Sequence, residues 1–119
     1  MPILLRDVRT ADLEAVHALN QGAVPAVGSV ALDDLRTFVR MAAYFRVAED
    51  PDVGRIAGFL VGLTPGAPYG SLNFAWFRER YPSFVYVDRI VIRRDARGAG
   101  LGRRFYDDIE AFARGRALG

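Results

Sequence analysis

At 119 residues, 51% hydrophobic and 25% charged, the chain is long enough for one domain with a real core and too short for two of ordinary size. It has no cysteine and no lysine, all 16 basic residues being arginine, which excludes disulfides, thiolate metal sites, a Cys nucleophile and Schiff-base chemistry. A single histidine, His17, leaves no His-based metal cluster and little scope for a Ser-His-Asp triad, and a net charge of +2 is no ground for expecting nucleic-acid binding.

Met1 to Val8 carries charge by its sixth position and has no cleavable apolar region. No later run approaches the ~18 apolar residues of a membrane span, so the expected location is the cytoplasm. Ile3 to Val8 reads as a first strand. Thr10 then stands where an N-cap belongs, and Leu13, Val16, His17 and Leu19 recur at helical spacing until Gly22. A Gly-, Ala-, Pro- and Val-rich loop follows to Val30. The spacing predicts a second helix over Leu32 to Ala43, with Leu35, Phe38, Val39 and Ala42 on one face and Asp33 and Asp34 in the first turn, where the helix dipole favours them.

The period then changes. Tyr44 to Glu49 and Arg55 to Leu63 are apolar, partly β-branched runs flanking Asp50, Pro51, Asp52 and Gly54, the chemistry of a hairpin. Thr64 to Pro82 holds Phe74, Trp76, Phe77 and Tyr81 around an Arg-Glu-Arg triplet and suits either a short amphipathic helix or a lid. Ser83 to Ile92 is the strongest strand in the chain, apolar enough to be covered on both faces. Leu101, Phe105, Ile109, Phe112 and Ala113 then form a helical stripe, with Gly119 as the expected C-cap.

Between that strand and that helix, Gly98, Gly100 and Gly102 occupy three of five positions. A strand entering a helix through a glycine turn aims unpaired backbone N–H groups and the positive end of the helix dipole at one point, which is where anions bind. Glycine is required because a Cβ would hold a phosphate away from the amides. Arg97, Arg103 and Arg104 add fixed charge. The residues therefore point to a phosphate or diphosphate. A P-loop needs Lys followed by Ser or Thr, and a dinucleotide fold needs G-x-G-x-x-G; neither is present.

The spacing that is present, R-x-x-G-x-G on Arg97, Gly100 and Gly102, resembles the acetyl-CoA motif of the GNAT acyltransferase superfamily. The order of elements matches the first two thirds of that fold. The resemblance implies an α/β (α+β) fold: a mixed, mostly antiparallel sheet flanked by helices, in the order β-α-α-β-β-(α)-β-α. It would be one domain over 1–119, incomplete at its C-terminus relative to the family, whose further strand, helix and hairpin would begin beyond Gly119. It also implies that the amides of Arg97, Gly98, Ala99, Gly100, Leu101, Gly102 and Arg103 hold the CoA pyrophosphate. Ile90, Val91 and Ile92 would pair with the pantetheine arm as another strand does.

The implied reaction is direct attack of an amine, from a small molecule or a peptide, on the thioester of acetyl-CoA, without a metal. Asp88 is the candidate base, against a reading in which it merely pairs with Arg89 or another Arg; Glu49 and Asp50 are lesser candidates. Tyr86, Trp76, Phe77 and Tyr81 suit an acceptor pocket or simple packing. His17 suits packing, and Arg93 and Arg94 suit either the CoA 3′-phosphate or a solvated strand end. The alternative function is a non-catalytic acyl-CoA-binding or dimerisation module, since a long apolar strand left at a sheet edge invites a second copy and hence a homodimer.

Overall fold

The computed structural model describes residues 3–64, 85–98 and 100–115. Four antiparallel strands lie in the order β1 (Leu4–Asp7), β2 (Tyr44–Asp50), β3 (Arg55–Leu63) and β4 (Tyr86–Ile92). The excursion between β1 and β2 supplies α1 (Leu13–Gly22) and α2 (Leu32–Met41), and α3 (Leu101–Gly115) follows β4. This is the expected mixed fold. The anticipated helix or lid after Leu63, the residues Ser83 and Phe84, and the C-cap at Gly119 lie outside the described residues.

Side chains alternate across a strand, and both faces of this sheet are covered. On one face Phe45, Val47, Phe59, Val61, Leu63 and Val91 pack with Leu13 and Val16 of α1 and Leu35 and Phe38 of α2. On the other, Tyr44, Ala48 and Leu60 meet Leu101, Phe105 and Ile109 of α3. Double coverage explains why β3 reads as an unbroken apolar run, and it lets the helices fix where β4 ends. Gly62 allows a close approach of α3: a Cβ there would meet the Ile109 Cδ1 at 2.8 Å.

Three local expectations need correction. Thr10 is not an N-cap. It opens a 3-10 turn (Thr10–Asp12), and the orphan N–H at this helix start, that of Arg9, donates instead to the Asp12 carboxylate at 2.7 Å. A carboxylate three residues on reaches back better than a hydroxyl already inside the turn. The second helix stops at Met41 because Ala42 is already extended, leading directly into β2, and Val39 faces outward at 36% exposure. Asp33 and Asp34 do occupy the first turn of α2, where Asp34 accepts the Ala31 N–H at 3.0 Å.

The β3–β4 register contains a bulge. Val61 pairs with Arg89 but Gly62 with Val87, which leaves Asp88 with no partner on β3. An unpaired extra residue bends the strand and frees its backbone, as bulges beside functional sites do.

Candidate functional site: the end of β4 and the start of α3

β4 runs out at Ile92 into a short 3-10 turn (Arg94–Ala96), and the chain then reverses through Gly98 and Gly100 into α3. Gly98 has φ +92° and Gly100 φ +75°, a region that residues with a Cβ enter only at a cost. Gly102 differs in lying within the first turn of α3 without a positive φ; as at Gly98 and Gly100, a Cβ there would meet no atom within 4 Å. Glycine inside a helix costs ~1 kcal/mol relative to alanine, and nothing in the described chain requires it at this position. Its empty space is therefore available to something outside the chain.

The electrostatics agree. α1 and α2 each carry acidic residues in their first turn, as dipoles favour, but α3 carries none. In their place stand Arg103 and Arg104, at the end of a 15-residue helix already electropositive. The first helical N–H with an acceptor in the turn is that of Arg104, to the Gly100 carbonyl at 3.1 Å. For the amides of Gly98, Gly100, Leu101 and Gly102 no acceptor occurs among the described residues. Unanswered amides at a helix start suit an anion.

Four further arginines reach the same end of the sheet. A cleft of about 580 Å³ between α1 and the ends of β3 and β4 is lined by Arg55, Arg93, Arg94 and Arg97, with Val91 and Ile92 in its wall. Arg93 pairs with Asp95, whose carboxyl that contact holds below its ordinary range. Arg55, Arg94 and Arg97 have no carboxylate partner among the described residues. Deeper in the cleft, Arg6 is closed by a bidentate bond to Asp12 at 2.8 and 3.0 Å and by Glu49 at 3.1 Å. Glu49 is thus a structural partner of Arg6, and the Arg6 contact is the main reason the Asp12 carboxyl titrates below its usual value.

Along β4, Val91 is buried under α1 and α2, and Ile90 and Ile92 pack toward α3. One edge of this strand pairs with β3; the other has no strand partner among the described residues. Asp88 is 5% exposed and bonded to the Nε of Arg89 at 2.8 Å. Tyr86 packs into the core on the α1/α2 side. Asp50 accepts the Asp52 N–H in the hairpin turn. His17 contacts the Val30 carbonyl through Nε2 at 3.1 Å, a packing role. Trp76, Phe77, Tyr81 and Ala99 lie outside the described residues. No group of three or more His, Asp or Glu that could hold a metal occurs among the described residues, and no described helix is long and apolar enough to cross a membrane.

Sequence reasoning missed a clamp. Asn20, fully buried in α1, donates to the Gly28 carbonyl and accepts from the Nη1 of Arg89, which also reaches Gly28. This ties the α1–α2 connection to β4 beside the bulge. The signal was present, because Asn20 continues the buried spacing of Leu13 and Val16 with a polar residue, which must then find partners.

The acetyltransferase (GNAT) family model matches residues 13–119, and the chain belongs to that family. No curated protein matches it. Among solved structures it is similar to Ard1 from Thermoplasma volcanium, with 16% identity and a TM-score of 0.76, over 99% of this chain and 68% of that one. Naa20 from Chaetomium thermophilum, solved with a bisubstrate analogue, has 25% identity and a TM-score of 0.70, over 97% of this chain and 58% of that one. The protein Rv2747 from Mycobacterium tuberculosis, solved with CoA and NLQ, has 21% identity and a TM-score of 0.72, over 97% and 60%. The chain thus spans roughly three fifths to two thirds of the length of these relatives.

Proposed function

We propose that the protein is a cytoplasmic N-acetyltransferase that moves an acetyl group from acetyl-CoA to an amine by direct attack. The observation that carries this is the start of α3, where two positive-φ glycines, a third glycine facing empty space, amides without acceptors and arginines in place of acids all suit a diphosphate. In this reading Arg97 to Arg103 hold the pyrophosphate, and the free edge at Ile90, Val91 and Ile92 pairs with the pantetheine amides. An arm matching the five steps from Arg93 back to Asp88, ~17 Å at ~3.3 Å each, brings the thioester to the bulge.

There the amine lone pair forms the new C–N bond as the C–S bond breaks. Asp88, fixed by Arg89, takes the proton released from the attacking nitrogen, and the thiolate leaves with CoA. The test is thermal unfolding of the full chain with acetyl-CoA, followed by thiol release on adding amines. A ligand at about 100 times its Kd stabilises the folded state by ~2.7 kcal/mol. An unchanged midpoint at saturating acetyl-CoA overturns the proposal.

The unpaired edge of β4 favours a second reading, a non-catalytic acyl-CoA-binding module that dimerises. Val85, Val87, Tyr106 and Ile109 line an apolar groove of about 220 Å³ between this edge and α3. CoA would then bind with no thiol released from acetyl-CoA, and light scattering would report a homodimer.

A further inference from the structure

A separate pocket of about 340 Å³ lies on the α1/α2 side of β4, lined by Val30, Asp34, Thr37, Phe38, Met41 and Arg89, with Ser29 at the loop. Arg89 is nearly sunk in the protein at 11% side-chain exposure. Its Nε is spent on Asp88, its Nη1 on Asn20 and the Gly28 carbonyl, and its guanidinium carbon sits 5.6 Å from the centre of the Phe38 ring. The Nη2 has no acceptor among the described residues. Among the described residues no fully buried side-chain nitrogen or oxygen lacks a partner, so Nη2 keeps some exposure, and the pocket is the open space that Arg89 lines. The ion pair with Asp88 explains Nε, and the clamp on the α1–α2 connection explains Nη1. Neither explains Nη2.

What this nitrogen offers is specific. Its positive charge is already balanced by Asp88, so it presents N–H donors in a fixed plane and suits one oxygen of a carbonyl or carboxylate. Val30, Phe38 and Met41 supply an apolar wall. Asp34 adds a negative charge that repels an acidic side chain. Arg89 is adjacent in sequence to Asp88 at the bulge, where the acetyl-transfer reading puts the thioester.

We propose that this pocket takes the acceptor, and that the acceptor is an α-aminoacyl group with an apolar side chain: a free amino acid or the first residue of a peptide. Its nitrogen faces the thioester, its carbonyl or carboxylate oxygen accepts from the Nη2 of Arg89, and its side chain rests on Phe38 and Met41. The inference rests on the acetyl-transfer reading and names the substrate class of that site.

The test is calorimetric titration of the full chain saturated with CoA, using L-leucine, L-leucinamide and 3-methylbutylamine, which is leucine without its carboxylate. The expected result is binding at least about ten-fold tighter for leucine or leucinamide than for the bare amine, because the bare amine covers Nη2 without giving it an acceptor. A preference for leucine indicates free amino acids, and one for leucinamide indicates peptide N-termini. Thr37→Trp, from an exposed turn of α2, fills the pocket while leaving Arg89, Asn20 and Asp88 unsubstituted, and is expected to remove amine binding while the CoA titration reports an intact fold. Equal binding of 3-methylbutylamine, binding of neither kind while CoA binds, or full retention by Thr37→Trp overturns the inference and leaves the CoA reading in place. Failure of CoA itself to bind takes down both.

Discussion

Replacing Gly102 by glutamate should separate stability from ligand binding, because the two respond with opposite signs. In the free protein the new side chain enters space where a Cβ meets nothing within 4 Å. It gains ~0.6 kcal/mol of helix propensity over glycine and ~0.3–1 kcal/mol from a carboxylate in the first turn of a helix that has none there. The sum, about 1–1.5 kcal/mol, corresponds to a rise of ~4–6 °C in Tm for a domain of this size. If the CoA diphosphate sits on the amides of this turn as proposed, the same carboxylate would lie on the order of 4 Å from a phosphate. At an effective dielectric of ~20 the repulsion is ~4 kcal/mol, close to a thousand-fold in Kd. Differential scanning calorimetry without ligand and isothermal titration with CoA read the two effects. A less stable Gly102→Glu protein, or one that binds CoA as the parent does, would refute the argument that this glycine serves a ligand.

Asp12→Asn should cost about 2 kcal/mol at neutral pH, since Arg6 loses its bidentate partner in a mostly buried setting. The Asp12 carboxyl titrates lower folded than unfolded, so its contribution is present above pH ~4 and lost as pH falls through the folded value. The variant's Tm should accordingly vary less with pH on the acid side, measured by circular dichroism from pH 2 to 7. Tyr44→Phe removes the 2.6 Å bond to Asp108 and should lower stability by ~1 kcal/mol in urea titrations while CoA affinity stays unchanged. Asp88→Asn should reduce thiol release from acetyl-CoA by ~10²-fold or more with CoA affinity kept within a factor of two; undiminished release would move the base elsewhere.

The elements most legible in the sequence are those bounded by local chemistry. Arg55–Leu63 emerges with its expected limits because a Pro- and Gly-containing turn precedes an unbroken apolar run, and the glycine turn into α3 is visible because its three glycines fall within five positions. What was not legible depends on pairing at a distance. The bulge that isolates Asp88 is a property of the β3–β4 register, which neither strand encodes alone. Arg55 joins Arg93, Arg94 and Arg97 only because a hairpin folds it back, and Glu49 could be seen as an Arg6 partner only once β1 lay beside β2. Arg89 looked like a mere neighbour of Asp88 until α1 brought Asn20 against it.

The central claim is that backbone amides at the start of α3 receive the CoA diphosphate, and titration of ¹⁵N-labelled protein with CoA tests it most directly. The account predicts that the largest amide shifts fall on Gly98, Gly100, Leu101, Gly102 and Arg103, that they saturate together, and that inorganic pyrophosphate reproduces them in part. Saturable shifts centred elsewhere, with these five amides unmoved, would contradict it.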